Sequence, residues 1–505
     1  MRQMKASARE TVTAVDCTAR RAAIVVSCTL LASFAYFYEA GGWNQNSRFA
    51  LVRAIVEHRT LRIDEYASST GDRARWNDHY YSDKAPGASL LAVVPVAAAA
   101  VMARLVGVPP ASRAGVAWTS YIATVATSGL FTVAAAMCVF ALAIEWGGSR
   151  RAAIVAALAY GLATPAWPYA TLFMGHAVTA GCLMAGFTAA VVMNRSPRPL
   201  RLAWLVGLAC GWASVTEFPA AIPAALIAAL ALSVCRADVR ARRRVAACML
   251  AGAAIALACL AAYNTAAFGS PLRLGYASEE AFEGMRRGMF GIATPRLDVA
   301  YGVLFGRYRG LLRLAPIVAV APIGLVTLMR SRHEFAPALV ALAVGAYYLV
   351  LNASYIYWEG GWSYGPRHLS PSLPFVTLGA APIWDSASRA GRTLLVICCL
   401  WGAALSLIAV STTAQPPGNL QSPVHDFLWP AFRAGDLSVN HQSFVDYSAD
   451  PDRLRGGMRS HAAWNVGELL GLRGLWSLLP LAGIWGIAAW SLTRDVHTQL
   501  PVAAA

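Results

Sequence analysis

Thirteen long apolar runs restrict this chain more than any other feature. They cover 22–40, 88–107, 116–144, 152–170, 175–193, 202–216, 218–235, 246–266, 311–329, 335–352, 372–384, 393–411 and 474–492. A helix needs about 20 apolar residues to cross the hydrocarbon core of a bilayer. In lipid every backbone amide must also be satisfied within the span. The runs therefore predict an all-α, polytopic transmembrane helical bundle. Composition agrees: of 505 residues, 57% are hydrophobic and 13% charged, against about 25% charged in soluble domains. A soluble enzyme and a disordered chain are both excluded. Runs 202–216, 218–235 and 372–384 are short, so the expected count is about 11–13 spans.

Forty-two basic residues against 26 acidic give a net charge of +16. In a chain dominated by apolar runs, that excess reads as cytoplasmic-loop charge, and no nucleic-acid partner is predicted. Arg2, Lys5, Arg9, Arg20 and Arg21 precede the first run. The cluster Arg236, Arg240, Arg242, Arg243 and Arg244 falls on the same side, as do Arg330 with Arg332 and Arg389 with Arg392. Loops 41–87, 267–310, 353–371 and 412–473 then lie outside. The predicted organisation is a cytoplasmic N-terminus (1–21), a bundle with its outer loops (22–411), an extracytoplasmic loop (412–473), and a last span with a short cytoplasmic tail (474–505). In that last loop Asn440, His441, Asp446 and Asp450 are polar. The predicted location is the cytoplasmic (inner) membrane, with the site facing outward.

Cysteines lie mostly in or at the ends of apolar runs and read as small hydrophobes, not a disulfide frame. No metal-ligand spacing, phosphate-binding loop or dinucleotide fingerprint is present, so no metal or cofactor is predicted.

Polar residues at membrane depth are costly and point to function. The first outer loop is the richest source. From Asn46, the apolar residues Phe49, Val52, Ile55 and Val56 have helical spacing, which predicts an amphipathic helix along the membrane surface. The acids Asp64, Glu65, Asp72, Asp78 and Asp83 follow, then Lys84, one of only two lysines with Lys5. A cation at the entrance of a span can meet a phosphate at headgroup depth, and the carboxylate beside it can take a proton. Lys84 is expected to lower the pKa of Asp83. Loop 267–310 brings Arg309 to the point where the chain re-enters the membrane. In SYIYWEGGWSYGPRHLSPSLP, the aromatics Trp362 and Tyr364 suit a sugar face. Glu359, Arg367 and His368 lie among them, and Arg367 suits a phosphate. His176 opens the run GHAVTAG, and Glu217 separates two apolar runs. For His176 packing is the plainer reading, and for Glu217 capping of its own helix break is the alternative.

These motifs resemble the GT-C superfamily of polytopic glycosyltransferases, which includes the protein O-mannosyltransferases and the lipid A aminoarabinose transferase. NSRFALVRAIVEHRTLRI, YYSDKAPGASLL and GGWSYGPRHL carry the resemblance. It implies a sugar donor on polyprenyl phosphate, entering from the membrane lipid, and a glycan, lipid or protein acceptor. It also implies inversion at the anomeric carbon and an Asp general base. Lys84 matches the family's lysine and would hold the lipid phosphate, with Arg48 and Arg367 nearby in motif. The sequence departs from the pattern where the family places its acid, at Asn44, Gln45 and Asn46. Asp64 in RIDEY and Asp83 in SDKAPG are the candidates for the base, in that order. A transporter of lipid-linked sugars and a non-catalytic assembly protein are the rival readings.

Overall fold

A computed structural model describes residues 2–234, 239–440, 442, 444 and 462–497. Arg236, His441, Asp446 and Asp450 lie outside the described residues. Among those described, eight helices are long and apolar enough to cross a membrane: Thr18–Ala35, Gly87–Leu105, Arg113–Glu145, Gly175–Arg195, Val239–Phe268, Phe335–Ser354, Arg389–Thr412 and Gly474–Arg494. The chain is a multi-pass membrane protein. The remaining runs fold as other helices of the bundle, such as Pro199–Thr216, Phe218–Ser233 and Ile317–Leu328. Proline explains the breaks, because it removes an amide and clashes with the preceding turn. Pro165 interrupts run 152–170, Pro219 starts the Phe218–Ser233 segment, and Pro316 separates Leu311–Leu314 from Ile317–Leu328.

The first helix, α1 (Arg2–Ala35), stops short of run 22–40's end. The chain leaves it as strand β1 (Phe37–Glu39), which pairs antiparallel with Ala463–Asn465 ahead of the last helix. Buried Glu39 secures the junction. Its carboxylate accepts from Thr413 Oγ1 at 2.6 Å, the amide of Ala414 at 2.7 Å and Gln415 Nε2 at 3.2 Å. The loop after β1 therefore starts against the segment that follows the Arg389–Thr412 helix.

Helix α2 (Trp43–His58) forms where the apolar spacing predicts one, but it begins earlier and is not a surface helix. Gln45, Asn46, Ser47 and Arg48 are buried with Phe49, Leu51 and Val52. Its polar first turn lies inside the protein because each polar group has a partner there. Gln45 donates to Gly41 O and accepts from the amide of Phe173, and Asn46 donates to Ser69 O. After α2, strands β2 (Arg73–Trp76) and β3 (His79–Ser82) form a hairpin. Its two-residue turn has Asn77 and Asp78 both at positive φ, the conformation that matches the twist of tight hairpins. The hairpin returns the chain to the entrance of α3 (Gly87–Leu105).

Candidate functional site

The hairpin sets the first half of the site. Its register pairs Arg73 with Ser82, so the next residues outward, Asp72 and Asp83, flank each other. Lys84 Nζ lies 2.9 Å from Asp72 Oδ2 and 2.8 Å from Asp83 Oδ2. Both acids are buried. Ser47 Oγ, from α2, donates to Asp83 Oδ1 at 3.3 Å and lies 2.8 Å from Ser82 Oγ. Both oxygens of Asp83 are thus engaged, whereas Lys84 meets Asp72 through Oδ2.

Burial pushes the Asp83 carboxyl up; Lys84 pulls it down and Asp72 pushes it up again, leaving it at about 6. Lys84 thus acts in the expected direction but does not decide the outcome: a charge taken out of water costs more than one lysine returns, so the carboxyl ends above its ordinary value. Burial disfavours the Lys84 ammonium, but Asp72 and Asp83 outweigh it and hold the lysine above its ordinary value.

The second half comes from the bundle. His176, near the start of the Gly175–Val192 helix, puts Nδ1 2.7 Å from Glu217 Oε1. The approach lacks the alignment of a hydrogen bond, and neither imidazole nitrogen has a well-formed hydrogen-bond partner. Glu217 makes no side-chain cap to the helices it separates, so the helix-capping alternative does not hold. Arg48 Nη1 donates to Ala85 O at 3.0 Å, and its Nε donates to Asn44 Oδ1 at 3.2 Å. Its Nη2 reaches Gly175, where a Cβ would lie 2.9 Å from that nitrogen and 2.9 Å from Glu217 Oε1. The absence of a side chain at Gly175 leaves room for both the guanidinium and the carboxylate beside the helix start. Glu217 lies in the fields of His176, Arg48 and Arg367. His368 stacks edge-on against His176, with ring centroids 5.9 Å apart. Burial, then Arg367 and His176, hold His368 far below its ordinary value and hence neutral. His368 Nε2 and Arg367 Nε are buried without a hydrogen-bond partner.

Loop 267–310 joins the halves. Tyr276 sits with its ring centroid 5.9 Å from Lys84 Nζ, in the fields of Lys84, Asp83, Arg48 and Glu217 together. The loop is held to the hairpin by Glu280, which pairs with Arg73 and Arg75.

Of the residues singled out in the sequence, Asp83, Lys84, Arg48, His176, Glu217, Arg367 and His368 come together. Arg309, Trp362 and Tyr364 build the adjacent layer. Arg309 is buried and donates to the carbonyls of Ser363 and Gly361 and to Tyr308 Oη at 2.8 Å. It clamps the aromatic loop and does not point a free fork at a phosphate. Tyr364 accepts from Tyr169 Oη through its carbonyl at 2.7 Å, and Trp362 packs near Gly418. The charge of Glu359 acts on Arg296, away from the cluster. Asp64 is also apart. It accepts from the Tyr80 amide at 2.6 Å, and His79 Nδ1 lies 2.8 Å away, at an exposed edge of the hairpin.

Asp72 is the residue that sequence reasoning missed. The signal was present in RARWNDHYYS: strand-like flanks around a two-residue turn fix a register that sets Asp72 opposite Asp83. Among the described residues, no group of three or more His, Cys, Asp or Glu side chains converges to hold a metal ion.

No protein-family model and no curated protein sequence matches the chain. Among solved structures it is similar to ArnT from Cupriavidus metallidurans bound to undecaprenyl phosphate, at 18% identity and TM-score 0.49. That match covers 77% of this chain and 64% of the other. The apo form of the same protein gives 17% identity and TM-score 0.48, over 85% of this chain and 69% of the other. The archaeal oligosaccharyltransferase AglB from Archaeoglobus fulgidus, in complex with an inhibitory peptide and a dolichol-phosphate, gives 11% and 0.46, over 78% and 55%. The chain thus spans a little under two thirds of the first of these structures and about half of the third.

Proposed function

We propose that this chain is an integral membrane glycosyltransferase. It moves a sugar from a polyprenyl-phosphate carrier to a hydroxyl of an envelope glycan, lipid or protein, on the outer face of the cytoplasmic membrane. The observation that carries this reading is Lys84 gripped at once by two buried acids, beside a basic cluster with unpartnered buried nitrogens.

The two halves differ in charge. Asp72, Asp83 and Lys84 sum to one negative charge when both acids are ionised. Arg48, Arg367 and Glu217 sum to one positive charge, with His368 neutral. A sugar–phosphate diester carries a single negative charge, so it belongs with Arg48 and Arg367, where a guanidinium fork suits phosphate oxygens. Lys84 is already neutralised; it sets the spacing between the phosphate and the acids. Asp72 serves as general base: it shares Lys84 with Asp83 and meets it through Oδ2. As the acceptor oxygen attacks the anomeric carbon, its proton passes to Asp72. The bond from that carbon to the phosphate oxygen breaks, the carrier phosphate leaves with the electron pair, and the centre inverts. Asp83 is a positioning residue, held by Ser47 and Lys84. Asp64 supports the hairpin, and the amides at Asn44, Gln45 and Asn46 hold structure where the family has its acid.

The test is to incubate the purified full chain with a panel of polyprenyl-phosphate sugars and envelope acceptors, measuring free polyprenyl phosphate. Release with one donor, dependent on acceptor, is the expected result. Donor binding without release across the panel contradicts transfer and fits a carrier of lipid-linked sugars.

A further inference from the structure

Beside the basic cluster, three elements bring unpartnered polar atoms to one place inside the bundle. Thr179 lies one turn beyond His176 on the Gly175–Val192 helix, on the same face. Thr179 Oγ1 and both His176 nitrogens lack a hydrogen bond among the described residues. In the neighbouring Arg113–Glu145 span, threonine hydroxyls turn back on their own helix: Thr127 donates to Ala123 O at 2.6 Å and Thr132 to Ser128 O at 2.8 Å. That is a common way to satisfy such a group in a helix, and Thr179 does not use it. On the short 3-10 helix Arg367–Ser372, Ser370 eclipses Arg367. Ser370 Oγ is unpartnered, as are Arg367 Nε and His368 Nε2. Tyr348, on the Phe335–Ser354 helix, has an unpartnered hydroxyl and lies in the field of Glu217.

The Arg367–Ser372 helix packs against both longer helices, and His176 meets the His368 ring and the Glu217 carboxylate. Thr179 is 0% exposed, Tyr348 2% and Ser370 5%. Buried polar groups are normally hydrogen-bonded, so a cluster of exceptions marks where a polar ligand or water is received. The hydroxyls of Thr179, Tyr348 and Ser370 can each donate and accept. That two-way pattern matches the hydroxyls of a sugar ring, whereas an ammonium only donates and a carboxylate only accepts. Charge narrows the sugar further. Arg48, Arg367 and Glu217 sum to one positive charge, which a single phosphodiester cancels. A sugar with its own ammonium or carboxylate would bring a buried charge that the three hydroxyls cannot balance.

We propose that this pocket receives the sugar of the lipid-linked donor, and that Thr179, Tyr348 and Ser370 select a neutral sugar with free hydroxyls over one bearing a free amine or a carboxylate. The inference rests on the transferase reading for the carrier phosphate at Arg48 and Arg367. The three hydroxyls set specificity and take no part in the proton transfer to Asp72.

The experiment uses the purified full chain with three polyprenyl-phosphate donors, carrying a hexose, an aminohexose and a hexuronic acid, and with sugar-free polyprenyl phosphate. Native mass spectrometry measures binding, the thermal midpoint without ligand reports folding, and free polyprenyl phosphate reports transfer. The hexose donor should bind at least about tenfold tighter than either charged donor. Tyr348→Phe and Thr179→Val each remove one hydroxyl with little change of volume. Each should weaken the hexose donor by at least about fivefold and leave sugar-free polyprenyl phosphate within about twofold. A purely structural role would weaken both ligands alike. If one variant fails to fold, the other and the donor series decide. A charged donor bound as tightly as the hexose donor would overturn the proposal. So would equal loss of both ligands in the folded variants, or unchanged hexose binding in them, which would mean that water alone meets these hydroxyls. The expected binding preferences without any release of polyprenyl phosphate would support the pocket and contradict the transferase reading alone.

Discussion

Arginines occupy both ends of this bundle and are held in opposite ways. At the site end, Arg48 is 3% exposed and Arg309 1%, with donors assigned to named carbonyls and side chains. At the far end, Arg240, Arg242, Arg243 and Arg244 stand exposed along one helix. A guanidinium inside the protein acts through geometry, because its alternative to a fixed partner is a buried unpaired charge. A guanidinium at the headgroup surface acts through number and sign, and any single one contributes little. Sequence composition counts the two kinds alike.

That contrast can be broken residue by residue. Among the arginines, the largest effect belongs to Arg48→Gln. It removes the charge facing Glu217 and the proposed phosphate contact, so release of carrier phosphate should fall by at least about 100-fold, as expected for a lost charge-assisted contact made to the reacting group. Arg309→Gln comes next. It leaves the Ser363 and Gly361 carbonyls unpaired and should lower stability by about 2–4 kcal/mol, read by chemical denaturation of the purified protein. A change under 0.5 kcal/mol would show that Arg309 does not clamp the aromatic loop.

The third prediction concerns pH. With Asp83 at about 6, transfer should show an acid limb near pH 6, since the carboxylate must be ionised to hold Lys84. The Ser47 hydrogen bond favours the ionised form, so Ser47→Ala should move the limb to higher pH. Stability runs the other way. The folded value is raised, so the stability from protonated Asp83 is full below the ordinary aspartate range and is lost as pH rises through about 6. A limb that does not move in Ser47→Ala would remove Asp83 from the reaction. The smallest effect is expected for Arg240→Gln, within about 0.5 kcal/mol in stability and without change in transfer. A larger loss would erase the distinction between the two ends.

Much of this was legible from residue order. Apolar length marked the spans, and polar residues in apolar surroundings marked Lys84, Asp83, His176, Glu217, Arg367 and His368, which meet. Two things were not legible. A carboxylate's role depends on what the fold sets beside it: Asp64 and Asp72 are similar in sequence, yet one lies at an exposed edge and the other meets Lys84. Burial also changed the sign expected for Asp83, because a neighbouring lysine is visible in the sequence and the loss of water is not. The reading of α2 as a surface helix failed for a related reason. Periodicity marked its apolar face, but the partners that allow Gln45, Asn46 and Arg48 to be buried come from distant segments.

The most direct measurement compares Asp72→Asn with Asp64→Asn for release of free polyprenyl phosphate, at matched expression and matched donor binding. A positioned general base contributes about 10²–10⁴-fold, so Asp72→Asn should lose that much while Asp64→Asn stays within a few-fold of the unmodified protein. Near-full release by Asp72→Asn, or its loss in Asp64→Asn alone, would contradict the assignment of chemistry to the acids that share Lys84.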